Sequence, residues 1–369
     1  MKVGVPKELK DHEYRVAITP AGVRELTSHG HEVLIETDAG RGSSIFNEEF
    51  ESAGAKIAPD ADTVFAESDM VLKVKEPVPE EFHRLREGLI LFTYLHLAAS
   101  EPVTKALLDS GTTGVAYETI ELPDRSLPLL APMSEVAGRM APHVGANLLE
   151  RGHGGRGILM GGVSGVRPAN VVVIGAGMSG MNAAWIAQGM EAEVIVLDKN
   201  INKLRDIDRI HQGKIKTLMS NKLTVEESVV QADLVIGAVL VPGAKAPRIV
   251  TRDSISSMKA GSVIVDISID QGGCFETSKM TTHSDPTYVV DDVVHYCVGN
   301  MPGAVPHTST YALTNATLDY VLALAAHGLQ AAVADPGFAL GINTYKGKCV
   351  YEPVASAHQI PYTPLSDLF

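Results

Sequence analysis

The sequence predicts an α/β fold with parallel sheets, and three features carry that reading. Short apolar runs of strand character alternate with helical patterns along the chain, the arrangement that covers a parallel sheet with helices. The run Val171-Val172-Val173-Ile174 leads straight into Gly175-Ala176-Gly177-Met178-Ser179-Gly180, a Gly-x-Gly-x-x-Gly turn set between a strand and a helix. A length of 369 residues is enough for two domains, each with its own core.

Apolar runs of strand character come first at residues 2–5, 32–36, 70–74, 89–95 and 115–120. Residues 20–29 between them read as a helix. Thr19 is a capping residue type, Pro20 suits the first helical position because its missing N–H would have no partner there, and Gly30 suits the left-handed turn past the end. Residues 101–110 read the same way, with Ser100 as cap, Pro102 early and Gly111 at the close. A sheet-building unit is therefore complete before the glycine motif begins. Residues 122–132, rich in proline and turn residues, read as a linker. A long amphipathic helix is expected over 134–151, with Ser134 as cap and a glycine-rich close at 152–157. After the glycine motif come a helix at 181–190 and a strand at 193–197 that ends in Asp198. Further strands are expected at 234–239, 263–269 and 288–290. Residues 309–327 form the last strong helix, apolar at Ala312, Leu313, Ala316, Leu318, Val321, Leu322 and Ala325. The tail, 341–369, carries one strand-like run at 348–351.

Each glycine of the motif has a physical task. Gly175 permits the tight turn out of the strand, Gly177 lets backbone approach a pyrophosphate, and Gly180 lets the helix pack on the strand. The N–H groups at that helix start would face the phosphates. Asp198 stands where a carboxylate accepts hydrogen bonds from both ribose hydroxyls and repels a 2′-phosphate, which selects NAD.

Composition excludes other classes. Forty-four acidic against 31 basic side chains, a formal charge of −13, argue against a nucleic-acid or anionic-membrane binder. Cys274, Cys297 and Cys349 show no paired spacing and read as free thiols of a reducing compartment. The N-terminus lacks the long apolar region of a signal peptide, and the apolar run 318–326 is too short to span a bilayer, so the expected location is the cytoplasm.

Parallel α/β sheets bind ligands outside the carboxyl ends of their strands. Three cationic or titratable residues follow strand-like runs there: Arg15 after the first, Lys75 after 70–74 and His96 after 89–95. Together they suit a small carboxylate that exchanges protons. Asp270, with the glycine pair behind it, follows the run 263–269, and Asn300-Met301-Pro302-Gly303 opens the last helix. Each has an ordinary reading too: a surface arginine, a solvated strand terminator, a hydrogen-bonded structural histidine, a turn-initiating aspartate and a helix cap.

Taken together these motifs resemble the alanine dehydrogenase/pyridine nucleotide transhydrogenase family, and within it the alanine dehydrogenases, nearly end to end. The resemblance is carried by Val3-Gly-Val-Pro-Lys-Glu8, Arg15-Val-Ala-Ile-Thr-Pro20, Lys73-Val-Lys75-Glu-Pro77, Tyr94-Leu-His96, the glycine motif, Asp270-Gln-Gly-Gly-Cys274 and Asn300-Met-Pro-Gly-Ala-Val-Pro306. It implies two Rossmann-like domains with parallel sheets, joined by long helices around a central cleft. The discontinuous substrate domain would span 1–128 plus 308–369, and the NAD-binding domain 129–307. It implies reversible conversion of L-alanine, NAD and water to pyruvate, ammonium and NADH, with glyoxylate reduction as a side activity, in a homohexamer. By the same resemblance Arg15 and Lys75 bind substrate, and His96 and Asp270 are catalytic. Met133, Ser134, Gly175, Ala176, Gly177, Met178, Ser179, Gly180, Asp198, Lys203, Ser220, Val239, Leu240, Ile267, Asp270, Asn300 and Met301 line the cofactor site, and Glu118 and His327 lie near a magnesium ion. Two residues depart from the pattern: Ser268 stands where relatives commonly carry alanine, and His307 where arginine or lysine is usual. A transhydrogenase component, a saccharopine-type dehydrogenase and a non-catalytic NAD sensor are the competing readings. The absence of a spanning segment and the Arg15, Lys75, His96, Asp270 set argue for the dehydrogenase.

Overall fold

In the computed structural model, which describes residues 1–239 and 246–369, the chain forms two units, each around its own sheet: Met1–Met133 with Val305–Phe369, and Ser134–Ala304. The first sheet contains β1 (Lys2–Val5), β2 (Glu32–Glu36), β3 (Lys56–Ala58), β4 (Met70–Leu72), β5 (Ile90–Thr93) and β6 (Thr113–Ala116), and from the returning chain β14 (Ile342–Tyr345) and β15 (Lys348–Cys349). Its order is β15-β14-β6-β5-β4-β1-β2-β3. The second contains β7 (Asn170–Ile174), β8 (Glu193–Asp198), β9 (Lys216–Met219), β10 (Leu234–Gly237), β11 (Val263–Asp266), β12 (Thr287–Val290) and β13 (Val293–Tyr296), in the order β12-β13-β11-β10-β7-β8-β9. The central strands β4, β5, β10 and β11 are buried along their whole length, as parallel strands covered on both faces must be.

Helices α1 (Pro20–Ser28), α2 (Asn47–Ser52), α3 (Ala61–Glu67) and α4 (Glu101–Ser110) supply the crossovers of the first unit. After α5 (Ala131–Leu148) come α6 (Met178–Gly189), α7 (Ile201–His211), α8 (Lys222–Gln231) and α9 (Arg252–Ser256) of the second. The returning chain adds α10 (Pro306–His327), α11 (Leu329–Ala334), α12 (Pro336–Ala339) and α13 (Glu352–His358) to the first. Thr19 caps α1 by accepting the Gly22 N–H, and Gly111 ends α4 at φ +70°. Ser100 holds the cap position of α4 without a side-chain hydrogen bond.

The structure differs from expectation in several places. The sheets are mixed, because β12 pairs antiparallel with β13, and β14 antiparallel with β6 and β15. Two of these pairings close through two-residue turns with both central residues at positive φ, Asp291-Asp292 and Lys346-Gly347, the twist-matched turn of a tight hairpin. α5 starts at Ala131, not Ser134, because Pro132 is accommodated in the first turn. The same effect starts α10 at Pro306. β6 ends at Ala116 and gives way to a 3-10 turn, Tyr117–Thr119, and β11 ends at Asp266, leaving Asp270 on the 3-10 turn Ile267–Gln271. The three cysteines are buried and unpaired, and no described helix is long and apolar enough to cross a membrane.

One buried charge cluster organises the first unit. Lys73, just past β4, lies 3.2 Å from Glu8 and 3.0 Å from Glu81, all three buried. Glu8 also accepts the Val74 N–H at 2.6 Å. The loop after β1 is thereby tied to the end of β4.

In the second unit His295 is fully buried in β13, its ring 2.7 Å from the Thr277 hydroxyl and 2.9 Å from the Val293 carbonyl. Burial pushes its pKa below the ordinary histidine value of 6.5. The unfolded chain therefore binds this proton at a higher pH than the folded chain does. The stability contributed by keeping His295 neutral is present above the unfolded value and is lost as pH falls below it. We expect thermal stability to drop between pH 7 and pH 5 more steeply in the parent chain than in His295→Gln, measured by calorimetry. Equal slopes would show that His295 does not carry this dependence.

Candidate active site

In the first unit β1 and β4 are neighbours whose crossovers leave in opposite directions, toward β2 and toward β5. Such a switch point leaves the carboxyl ends of the two strands open to a ligand. Arg15 comes from the loop after β1, Lys75 follows β4 and His96 follows β5.

Arg15 is buried and held by Glu13. Its Nε donates to Glu13 Oε1 at 2.6 Å and its Nη2 to Oε2, so the carboxylate fills one edge of the guanidinium. Nη1, on the other side, donates to the Met133 sulfur at 2.9 Å. A two-pronged grip on a ligand through the Nε edge is therefore already taken. Burial would raise the Glu13 pKa, but the hydrogen bond and charge of Arg15, with the Lys75 charge adding to them, hold it below the usual carboxylate value. Glu13 thus links Arg15 and Lys75 electrostatically. Tyr94, fully buried, donates to the Leu129 carbonyl at 2.6 Å, and its ring lies 5.9 Å from that of His96.

His96 sits at φ +49°, a left-handed conformation uncommon for a residue with a side chain. Glu118, after β6, holds that bend. Its carboxylate accepts the His96 N–H at 2.6 Å and the Leu95 N–H at 3.2 Å. The imidazole is part exposed, with Nδ1 3.3 Å from Glu76 Oε2. Glu76 also pairs with Lys10. Burial would raise the Glu76 pKa, yet the His96 ring and Lys10 beside it hold it well below the usual carboxylate range.

The magnesium expectation does not fit these residues. Glu118 commits its carboxylate to two backbone N–H groups, and His327 lies exposed at the end of α10. Among the described residues no group of three or more His, Cys, Asp or Glu gathers to hold a metal ion.

In the second unit the corresponding switch point lies between β7 and β10. Gly175 turns at φ +104°, and a Cβ there would stand 2.4 Å from the Ala238 carbonyl oxygen. A Cβ on Gly180 would fall 1.8 Å from the Gly175 oxygen, so only glycine lets α6 approach β7 this closely. At Gly177 a Cβ would enter open space, which is the room a phosphate needs above the helix start. Ala176 is buried, Ser179 half-buried and Met178 exposed. Asp198 ends β8 with its carboxylate accepting the Ala176 N–H at 2.6 Å and the Asn200 N–H at 2.7 Å. The acid is thereby docked on the glycine turn itself. These residues fit a dinucleotide.

The remaining expected residues divide. Ser220 donates its N–H to the Asp198 carbonyl at 2.9 Å, and Lys203 is exposed on α7. Val239 donates its N–H to the Ser268 hydroxyl at 2.9 Å, so Ser268 ties the end of β10 to the turn after β11, with Ile267 half-buried beside it. Asp270 is exposed and accepts the Asn300 N–H at 3.3 Å, which joins the turn after β11 to the loop after β13. The Met301 side chain is buried in the core of the unit. Ser134 is half-buried within α5, and Met133 packs on Arg15 as described. Leu240 lies outside the described residues. Sequence reasoning missed Glu13, Glu76 and the capping role of Glu118, and it missed Asp266. Buried Asp266 accepts the Ser268 and Cys274 N–H groups at 3.0 Å each and the Ser278 hydroxyl, fixing the turn that carries Asp270. The signal for Glu13 and Glu76 was their place beside the cations, two residues before Arg15 and next to Lys75.

Both units of the chain match known proteins. Residues 4–137 match the family model "Alanine dehydrogenase/PNT, N-terminal domain" and residues 141–352 match "Alanine dehydrogenase/PNT, C-terminal domain". The chain is 59% identical over 364 residues to alanine dehydrogenase of Mycolicibacterium smegmatis, covering 98% of each. It is 57% identical over 369 residues to that of Halomonas elongata, covering all of both. A solved L-alanine dehydrogenase superposes with a TM-score of 0.95 at 47% identity, covering 97% of this chain and 99% of that one. A transhydrogenase from Sinorhizobium meliloti superposes at 0.81 with 26% identity, covering 95% and 99%.

Removing the Glu13 carboxylate breaks the buried ion pair on the Nε edge of Arg15. We expect Glu13→Ala to lower unfolding free energy by about 3–5 kcal/mol, the usual cost of breaking a buried pair from one side. Denaturant titration measures it, and a loss below about 1 kcal/mol would mean that Arg15 finds another partner.

Proposed function

The chain belongs to the alanine dehydrogenase/PNT family, and from that premise we propose how its residues carry out the reversible, NAD-dependent oxidative deamination of L-alanine to pyruvate and ammonium. The observation that carries the proposal is the set of polar groups at the two switch points. Arg15, Lys75 and His96 follow β1, β4 and β5, and the glycine turn and Asp198 follow β7 and β8.

Bound NAD supplies the hydride acceptor. Gly175, Ala176, Gly177, Met178, Ser179 and Gly180 would hold its pyrophosphate through backbone, and Asp198 its ribose hydroxyls. Met133, Ser134, Lys203, Ser220, Val239, Leu240, Ile267, Asn300 and Met301 would complete the surface around it, Met301 through its backbone. Arg15, steadied by Glu13, binds the substrate carboxylate, and its fixed plane sets the orientation of Cα. Lys75 acts as a point charge on the oxygen that becomes the keto oxygen of pyruvate. His96 takes a proton from the water that attacks the imine and returns one to the departing ammonia, since an imidazole accepts and donates near neutral pH. Asp270 assists the same exchange. In reductive amination the steps run backwards through the same groups. Glyoxylate offers the same carboxylate and carbonyl as pyruvate without the methyl group, so its reduction belongs to the reading. A cytoplasmic homohexamer is the setting that family membership suggests.

The direct assay follows absorbance of NADH with pyruvate and ammonium; oxidation is expected, and its absence with NADH binding intact would favour a sensor. His96→Ala is expected to lose roughly a hundredfold or more in kcat while NADH binding survives. Near-normal turnover in that variant would remove His96 from the mechanism. Asp198→Ala is expected to weaken NAD and relax discrimination against NADP, by loss of the ribose acceptor and of the charge that repels a 2′-phosphate. An unchanged cofactor preference, read from kcat/KM with each cofactor, would contradict the role given to Asp198.

A further inference from the structure

Glu76 takes no step in the chemistry above, yet its surroundings give it a task. It stands directly after Lys75, past the end of β4. One carboxylate oxygen, Oε1, pairs with Lys10 from the loop after β1. The other, Oε2, is buried and makes no formed hydrogen bond. It lies 3.3 Å from His96 Nδ1, in reach but off the line of a proper bond. An unsatisfied buried carboxylate oxygen is costly, and a small turn of a ring carrying its proton on Nδ1 removes that cost. The backbone of His96 is already fixed by Glu118 in its left-handed bend. Two carboxylates from neighbouring strand ends therefore bear on this one residue, Glu118 on its backbone and Glu76 on its ring.

Among the described residues, the other groups near His96 do not compete for Nδ1. Lys10 is a donor and is engaged with Glu76. The Tyr94 hydroxyl is spent on the Leu129 carbonyl. His358 of α13 has its ring nitrogen on the Leu97 carbonyl at 2.7 Å. In hydrolases an acidic residue paired to one ring nitrogen fixes the tautomer and direction of a catalytic imidazole, and removing the charge spoils catalysis with the geometry intact.

We infer that Glu76 is the positioning residue of His96: it accepts Nδ1–H and so leaves Nε2 as the nitrogen that exchanges protons with the substrate. This rests on the proton-transfer role given to His96. The first test needs no variant of Glu76. Nitrogen-15 NMR of histidine-labelled holoenzyme, with the His96 signal assigned by its loss in His96→Gln, should show the neutral ring protonated on Nδ1. Protonation mainly on Nε2 overturns the inference. The second test compares kinetics. Glu76→Gln is expected to lose about thirtyfold or more in kcat, with the alanine KM within about threefold and NADH affinity unchanged, and Glu76→Asp to recover part of the loss. If Glu76→Gln keeps kcat within about twofold while His96→Ala is crippled, the positioning role falls and the proton-transfer role stands. If His96→Ala turns over normally, the proton-transfer role falls and takes this inference with it.

Discussion

Between two adjacent parallel strands whose crossovers run off to opposite sides, no connection covers the carboxyl ends, and the gap left there is where polar groups can meet a ligand. The chain builds this gap twice. In the first unit it lies at β1 and β4, in the second at β7 and β10, and in both the six parallel strands follow the same spatial order. Most of the proposed site residues hang from loops that leave these sheets at that end: Arg15, Lys75, His96 and Glu118 in one, and Gly175, Asp198, Val239, Asp270 and Asn300 in the other. The open end exists because the core strands are apolar enough to be covered by helices on both faces, which leaves only the strand ends for function.

Open strand ends alone would not fix side chains, and buried charge does that here. Lys73 between Glu8 and Glu81 ties the loop after β1 to the end of β4, and Glu13 clamps one edge of Arg15. Such pairs give little net stability, because desolvation consumes most of the attraction, but half a pair is expensive. They therefore act as constraints on direction. The Arg15 plane is set by Glu13 along its Nε edge. The second unit uses neutral and backbone partners for the same end: Asp198 on the Ala176 N–H, Ser268 on the Val239 N–H, Asp266 under the Asp270 turn.

The features legible in the sequence were those whose physics is local. Gly175, Gly177 and Gly180 are demanded by a turn and a close packing within a few residues, and Asp198 by the next strand end. The apolar runs at 70–74 and 263–269 announced buried parallel strands, although the chain leaves each strand early to form site turns. The antiparallel β12–β13 edge was not legible, because Asp291-Asp292 lacks the glycine that usually marks a tight hairpin. Pro132 read as a break when it is a tolerated first-turn residue. The carboxylates around the cations were missed for a different reason. Nothing in Glu76 or Glu118 tells which nitrogen each will meet, since their partners are set by strands that neighbour one another only in the folded sheet, whereas Glu13 meets Arg15 within one loop.

The most direct measurement is a crystal structure of the protein with NADH and pyruvate bound. The account predicts the pyruvate carboxylate on the side of Arg15 away from Glu13 and its keto oxygen within hydrogen-bonding reach of Lys75 and His96 Nε2. It also predicts the pyrophosphate against the backbone of Gly175–Gly180 and the ribose on Asp198. Pyruvate bound away from the ends of β1, β4 and β5, or a ribose that does not touch Asp198, would contradict it.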